Sequence, residues 1–390
     1  MTNEFQLAGY LAWKEIWRNK GRFFLVSLVI ALITLLVLFI AALGEGLGNG
    51  NREYLSKLDS ELIVFQENAD FVIQSSRLSP SKVNAIRRVD GVAQAGSFAY
   101  ASAAIVVTGE AEPVKIALIG LEANEPGTPV AVDGRPFRRN LADEVIIDSN
   151  TAYRSKLKVG DTLVLRTSQA EKEKTYDLTV VGIAEGQQLG LQPTIFVPIQ
   201  TWEEVRPKSS AEIGNNSPTP NVAIIKIMDG FTAEQVRANL LAEIEKIEAG
   251  TLQEVIEALP GYTAQQSTLN TQGAFTLIIG ILVIGGFFQI QVLQKVGQIG
   301  VLKAIGTTTP TVAIASIIQI VVITTIGVFI GALLTFLLSL GFPPSIPIVF
   351  NGFTSLIAII ALMAIGPLGG LVSIQYAIRI EPLKALGLSS

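Results

Sequence analysis

Few residues in this sequence could do chemistry. It contains no histidine and no cysteine. That removes the usual zinc ligands, thiolate nucleophiles, the Ser-His-Asp triad and the commonest axial ligand of haem. Three groups of polar residues remain. Glu45 sits in the run Gly44-Glu-Gly-Leu-Gly-Asn-Gly50. It is either a solvated charge at a helix end or a carboxylate facing a substrate path or a dimer seam. Alternate glycines there suit close helix packing or a loosened helix end. Asp143, Glu144 and Asp148 cluster, but on a strand pattern they read as solvated edge charges, and no metal site is expected from them. The third group is the basic stretch Lys295 to Gly306, with Lys303 between Gly300 and Gly306. It is not a phosphate loop, because the lysine is misplaced for G-x-x-x-x-G-K-S/T and no strand precedes it. No catalytic residue, metal ligand or cofactor is expected, and the chain is not expected to hydrolyse ATP itself.

The elements around these residues are set by hydropathy. Only 16% of the 390 residues are charged, against about 25% in a soluble globular chain. The deficit is local. No charge occurs between Glu257 and Lys295, or between Lys303 and Arg379. Charge-free apolar runs of about 20 residues read as membrane spans. They place spans at 23–43, 273–293, 311–340 and 353–376, the last interrupted by Gly366-Pro367. The first is too long for a signal-peptide core and reads as a retained span. A short outer loop, 341–352, is broken by prolines. Residues 1–22 read as an amphipathic surface helix with Tyr10 and Trp17 at headgroup depth.

Residues 44–272 have near-normal polarity and alternate turn residues with β-branched runs. They read as an α+β domain inserted between the first two spans. Strands are expected at 61–65, 103–107, 114–118, 144–148, 162–166, 176–183, 194–197 and 221–227. Helices are expected at 80–89, 151–157 and 232–247, and a flexible loop at 209–220. The fold class is therefore four transmembrane helices with a large α+β insertion. Basic residues gather before the first span, in the loop 294–310 and in the tail 377–390. The positive-inside rule then puts both termini and that loop in the cytoplasm of an inner cell membrane, and the inserted domain outside. A net charge of −4 without a basic stripe argues against a nucleic-acid binder.

Within the spans, Gln289, Gln291 and Gln319 are polar groups suited to interhelical hydrogen bonds, with Gln319 also a candidate for the substrate path. Gly327 and Gly331 form a small-xxx-small pair that admits a neighbouring helix. In the 294–310 loop, Ile299, Val301 and Leu302 among Gly297, Gly300 and Ala304 make a short helix able to insert into a partner's groove.

The segment QKVGQIGVLKAIG, Gln294 to Gly306, resembles the cytoplasmic signature of FtsX-like, MacB-type ABC transporter permeases. The closing Ala377 to Leu386 resembles that family's A-x-R-x-x-P-x-x-A-L ending, and the one-plus-three span order matches too. The opening LAWKEIWRNKGRF and GLGNGNREYLSKLDSELIVF are most similar to the HrtB-type haem-exporter branch, with the DevC-like glycolipid-exporter branch second. The resemblance implies a homodimer working with two copies of a separate ATPase, coupled through Val296, Gly297, Gln298, Ile299, Gly300, Val301, Leu302, Lys303, Ala304 and Gly306. It implies export of an amphipathic or lipid-like molecule, with haem the sharpest case, by mechanotransmission to the outer domain. An adaptor and an outer-membrane channel are further partners in that family, and the bilayer is the medium. With no His or Cys, haem would need Glu45, paired across a dimer, or a tyrosine such as Tyr54 or Tyr100. The second reading is a non-transporting permease that signals to an envelope hydrolase. A third, a sensor without an ATPase, predicts no effect of deleting Gly300–Lys303.

Overall fold

The computed structural model describes residues 2–107, 109, 112–184, 188–212, 218–341 and 348–379. The chain divides into two compact units, Met1–Gly46 with Gln266–Ser390, and Leu47–Gln265. In order its elements are α1 (Thr2–Arg18), α2 (Lys20–Ser56), β1 (Leu62–Gln66), α3 (Pro80–Ile86), β2 (Val92–Val106), β3 (Val114–Leu121), β4 (Ala131–Gly134), β5 (Glu144–Asp148), α4 (Ser149–Ser155), β6 (Thr162–Gln169), β7 (Lys172–Ala184), β8 (Thr194–Pro198), α5 (Ile199–Val205), β9 (Val222–Ile227), α6 (Ala233–Glu243), β10 (Ile247–Thr251), α7 (Leu252–Glu257), α8 (Tyr262–Gln294), α9 (Val296–Ala304), α10 (Thr309–Ser339) and α11 (Gly352–Arg379).

Among the described residues four helices are long and apolar enough to cross a membrane: Lys20–Gly50, Tyr262–Gln294, Thr309–Ser339 and Gly352–Gly370. They pack around Phe23, Ile30, Ile284, Phe288, Ile320, Ile323, Leu362 and Ile365. Without a hydrophobic drive inside lipid, such packing depends on close backbone approach. Gly327 and Gly331 supply it. A Cβ at Gly327 would lie 2.6 Å from Ile30 Cβ, and one at Gly331 2.5 Å from Ala31 O. The small-residue pair therefore seats α2 on α10. The glycine run after Gly44 does not loosen the helix end, since α2 continues through it to Ser56. Pro367 does not interrupt the last helix either. α11 runs unbroken from Gly352 to Arg379 with the proline inside it, so the bundle tolerates the one backbone donor that proline removes.

The inserted unit is built on one ten-stranded sheet among the described residues, ordered β10-β1-β9-β2-β3-β8-β5-β7-β4, with β6 pairing β2 and β7. Most neighbours are antiparallel, while β3–β8 and β5–β7 are parallel. Two observations fix its core. Trp202 of α5 is buried and donates through Nε1 to Leu118 O at 3.2 Å. Tyr54, from the last turns of α2, stacks between Phe98 and Phe196 and donates to Gly127 O at 2.8 Å.

The structure corrects two sequence expectations here. The apolar stripe expected to run as a helix to Ile247 stops at Glu243. Ile244 is already extended, Lys246 adopts φ +58°, and Ile247 opens strand β10 against β1. The carboxylates of 143–148 are not all solvated. Glu144 pairs with Arg135, and Asp148 is fully buried, with Oδ1 accepting from Thr151 N at 2.7 Å to cap α4. The segment 209–220 holds a 3-10 turn at Ser210–Glu212; its residues 213–217 lie outside the described residues, as do 342–347 of the loop between the last two spans and most of the closing Ala377–Leu386 motif.

Candidate coupling helix and substrate groove

Lys295 to Gly306 folds as a helix with defined ends. Lys295 leaves α8 at φ −108°, ψ 5° and stands at the N-cap of α9. At the other end Thr307 N donates to Leu302 O at 3.0 Å and Gly306 N to Lys303 O at 3.1 Å. This pair of bonds, with Gly306 at φ +100°, is a Schellman stop, which requires the left-handed conformation that glycine adopts without strain. Thr308 and Pro310 then open α10. Gly306 therefore ends α9 rather than belonging to its surface.

α9 is two-faced. Ile299 is buried against Val292 of α8 and Val312 of α10, and Gly300 is buried beside it. The opposite face carries Gly297, Gln298, Val301 and Ala304, with Ile305 just past the helix end. Val301 is 46% exposed and Ile305 76%. Val296, Leu302 and Lys303 are half-buried between the two faces. Burial pushes the Lys303 ammonium below the ordinary lysine range.

The start of α9 is tied to the N-terminal helix. Glu15 of α1 forms an ion pair with Lys295, and its Oε2 accepts from Gln319 Nε2 of α10 at 2.7 Å. Arg22 Nη2 donates to Gln294 Oε1 at 2.7 Å, and Lys295 Nζ lies 5.7 Å from the centroid of the Phe23 ring. One carboxylate thus joins α1, the α8–α9 junction and α10. Beside it is a cavity of about 340 Å³ between α1, α8, α9 and α10. Sequence reading had no signal for Glu15, which looks there like one more charge on a surface helix.

A second cavity, about 480 Å³, lies at the opposite end of the bundle, between residues 37–45 of α2 and the starts of α8 and α11. Its wall is mostly apolar, with Leu269, Leu277 and Ile357 among its lining, and four polar side chains converge on it: Glu45, Gln266, Asn270 and Thr354. A few polar groups in an apolar concavity suit a molecule that is itself amphipathic. Asn351 Nδ2 lies 3.4 Å from Glu45 Oε1. Gly44 keeps the wall thin, since a Cβ there would already touch Leu269. Glu45 and Gln319, both considered for a substrate path, thus stand at different ends of the bundle. Among the described residues no group of three or more Asp, Glu, His or Cys could hold a metal ion. Tyr54 and Tyr100 belong to the inserted unit, where burial raises both phenols above the ordinary tyrosine range.

Four apolar helices, a sheet domain inserted after the first, and a short two-faced helix between the second and third define a membrane permease. The MacB-like periplasmic core domain family matches residues 23–243, and the FtsX-like permease C-terminal family matches residues 271–382. The chain belongs to this MacB-type, FtsX-like family of ABC transporter permeases. It is 25% identical over 380 residues to a protein of Staphylococcus haemolyticus (strain JCSC1435) named as the hemin transport system permease HrtB, covering 97% of this chain and 99% of that one. It is 24% identical over 393 residues to a macrolide export ATP-binding/permease protein, MacB 1/2, of Paracoccus denitrificans (strain Pd 1222), covering 94% of this chain and 56% of that protein. The periplasmic region of MacB from Actinobacillus actinomycetemcomitans aligns with 51% of this chain and 91% of that one, at TM-score 0.38 and 15% identity. Membership makes this chain a permease subunit whose ATP hydrolysis belongs to an ATPase partner.

Proposed function

We propose that the exposed face of α9 is the surface on which the ATPase docks, and that the permease exports an amphipathic molecule gathered at the Glu45 groove. The observation that carries the first part is the division of α9 into two faces. One packs on the bundle through Ile299, while the other leaves Val301 and Ile305 uncovered beside a basic, polar end of the protein. An apolar stripe of this kind is stabilised by insertion into a complementary groove. Both termini and α9 then face the cytoplasm, and the inserted domain faces outside, in agreement with the basic residues of residues 14–22 and 295–303.

The working unit is a dimer of this chain with two ATPase copies, and the coupling is mechanical. α2 is a single helix of 37 residues whose last turns bring Tyr54 and Leu55 into the inserted domain's core, where Tyr262, the first residue of α8, is also buried. Arg52 Nη1 donates to Tyr262 Oη at 3.0 Å. Closure of the ATPases would bias two packings of the helices, and α2 and α8 would carry that change to the domain between them.

For the substrate, the relatives named as hemin permeases and the Glu45 groove point the same way. Haem is a flat, mostly apolar molecule with one anionic edge, and among the described residues lining the groove Glu45 is the carboxylate that could ligate its iron. The test is haem titration of the purified permease, with haem tolerance of cells as the second readout. Glu45→Ala should weaken haem binding at least roughly tenfold, the effect of one lost charged contact of 1.4 kcal/mol or more, and should remove the tolerance. Unchanged binding and tolerance would exclude Glu45 as the ligand.

A further inference from the structure

The cavity beside Glu15 has a composition that the coupling role does not use. Its lining includes three cations, Lys14, Arg18 and Lys295, and one carboxylate, Glu15. Glu15 is already committed to Lys295 and Gln319. Lys14 and Arg18 take part in none of the ion pairs among the described residues, and both side chains are exposed. Lys14 instead lies 5.6 Å from the Tyr10 ring centroid. The wall also includes the apolar Leu11, Phe288, Val312 and Ile320, together with the buried amides of Gln291 and Gln319. The site therefore combines cations with apolar side chains beside membrane-crossing helices.

The aromatic residues of α1 argue for the depth of this site. Tyr10, Trp13 and Trp17 on α1 are each about 60% exposed, and the two indoles meet edge to face with centroids 6.3 Å apart. Large aromatic rings left bare beside lysine and arginine belong at headgroup depth. Lys14 and Arg18 occupy the same helix turns, so they too lie at that depth, where phosphates are.

We propose that this cavity binds an anionic phospholipid, its phosphate held between Lys14 and Arg18 and an acyl chain laid along Phe288 and Ile320. Charge complementarity favours the lipid over a second protein: two uncommitted cations at headgroup depth attract an anionic leaflet, each by an amount comparable to one ordinary surface charge contact. The bound lipid would wedge α1 against α8 and α10 next to the start of α9. Anionic lipid would then be a structural component of the coupling end, independent of what the transporter exports.

The test is lipid retention by the full-length permease in mild detergent, read by native mass spectrometry. The protein is offered phosphatidylglycerol and phosphatidylcholine of matched chains. Wild type should retain phosphatidylglycerol with about a tenfold preference, and free glycerol phosphate should not displace it. The double variant K14Q/R18Q should lose the preference, whereas K14R/R18K, which keeps both charges, and Lys303→Gln, which removes a cation outside the cavity, should keep it. Size-exclusion elution and helicity identify any variant that misfolds, and in that case K14Q and R18Q are compared singly. Equal retention of the two lipids by wild type, an unaltered preference in the glutamine variants, or an equal loss in Lys303→Gln would overturn the proposal. Displacement by glycerol phosphate would make the site one for a soluble phosphate and overturn the lipid assignment.

Discussion

Glu15 accepts a hydrogen bond from Gln319 at 2.7 Å across 304 residues of sequence, and the same carboxylate pairs with Lys295 at the start of α9. A short helix can pass on a push only if its end is fixed to something that moves with it. Glu15 provides that fixing, between the N-terminal helix, the α8–α9 junction and the third span.

Removing either partner should therefore act on the pair rather than on the residue. Glu15→Gln and Lys295→Met, singly and together, should give a double-mutant cycle with a coupling of about 1–3 kcal/mol in the thermal stability of the detergent-solubilised permease. The same variants should lower substrate-dependent ATP turnover while the ATPase still co-purifies. Additive effects would show that the ion pair carries no coupling.

Asp148 should make stability depend on pH. Burial is the main cause that lifts its carboxyl to about 6 from an ordinary 3.8, although Thr151 and Thr194 hydrogen-bond to it, and its Oδ2 has no partner. The folded protein binds the proton more tightly than the unfolded chain does. Stability is therefore greatest below the unfolded value and falls as pH rises through the window between about 4 and 6. Asn would keep the cap on Thr151 N without the charge. Asp148→Asn should raise the melting temperature at neutral pH, by up to about 3 kcal/mol of stability, and the gain should vanish near pH 4. A gain that does not change with pH would contradict this.

The inserted domain also contains a buried ionic group. Glu203, 2% exposed, receives Arg206 Nε and Lys208 Nζ at 3.0 Å each. Arg206 also lies 5.5 Å from the Trp202 ring centroid and pairs with Glu212, whose carboxyl hydrogen bonds from Ser209 and the Arg206 charge hold down to about 2. Glu203→Ala would take away the carboxylate that pairs with both Arg206 and the buried Lys208 ammonium, and breaking a buried ion pair costs about 3–5 kcal/mol. Thermal unfolding should show it as a loss of several degrees, with Lys208→Met in the same chain recovering part of the loss. No recovery would show that the Glu203–Lys208 pair is not the source of the loss.

The sequence made the bundle legible because a bilayer imposes one unambiguous demand, about 20 apolar residues per span, and the silences around Lys295 and Lys303 mark it. Gly327 and Gly331 were readable as an approach site for a helix, though not as the seat of α2. The strand β10 was hidden, because Ile247-Glu-Ala-Gly-Thr251 continues the apolar stripe of α6 and only the φ of Lys246 turns the chain. Asp148 looked like its neighbours Asp143 and Glu144, since alternation along a strand cannot say which edge a helix will cover. Glu15 was unreadable for a different reason. Its partners lie about 280 and 304 residues away, and no local pattern encodes contacts that only helix packing creates.

The central claim is that α9 presents Val301 and Ile305 to the ATPase. The most direct measurement is co-purification of the ATPase with the full-length permease, wild type against Val301→Asp and Ile305→Asp. Both side chains are exposed, so neither charge enters the permease core, and size-exclusion elution should be unchanged. The account predicts that the ATPase is lost from both variants while Gln298→Ala on the same face loses less. An ATPase retained by Val301→Asp at the wild-type ratio would contradict it and move the docking surface elsewhere.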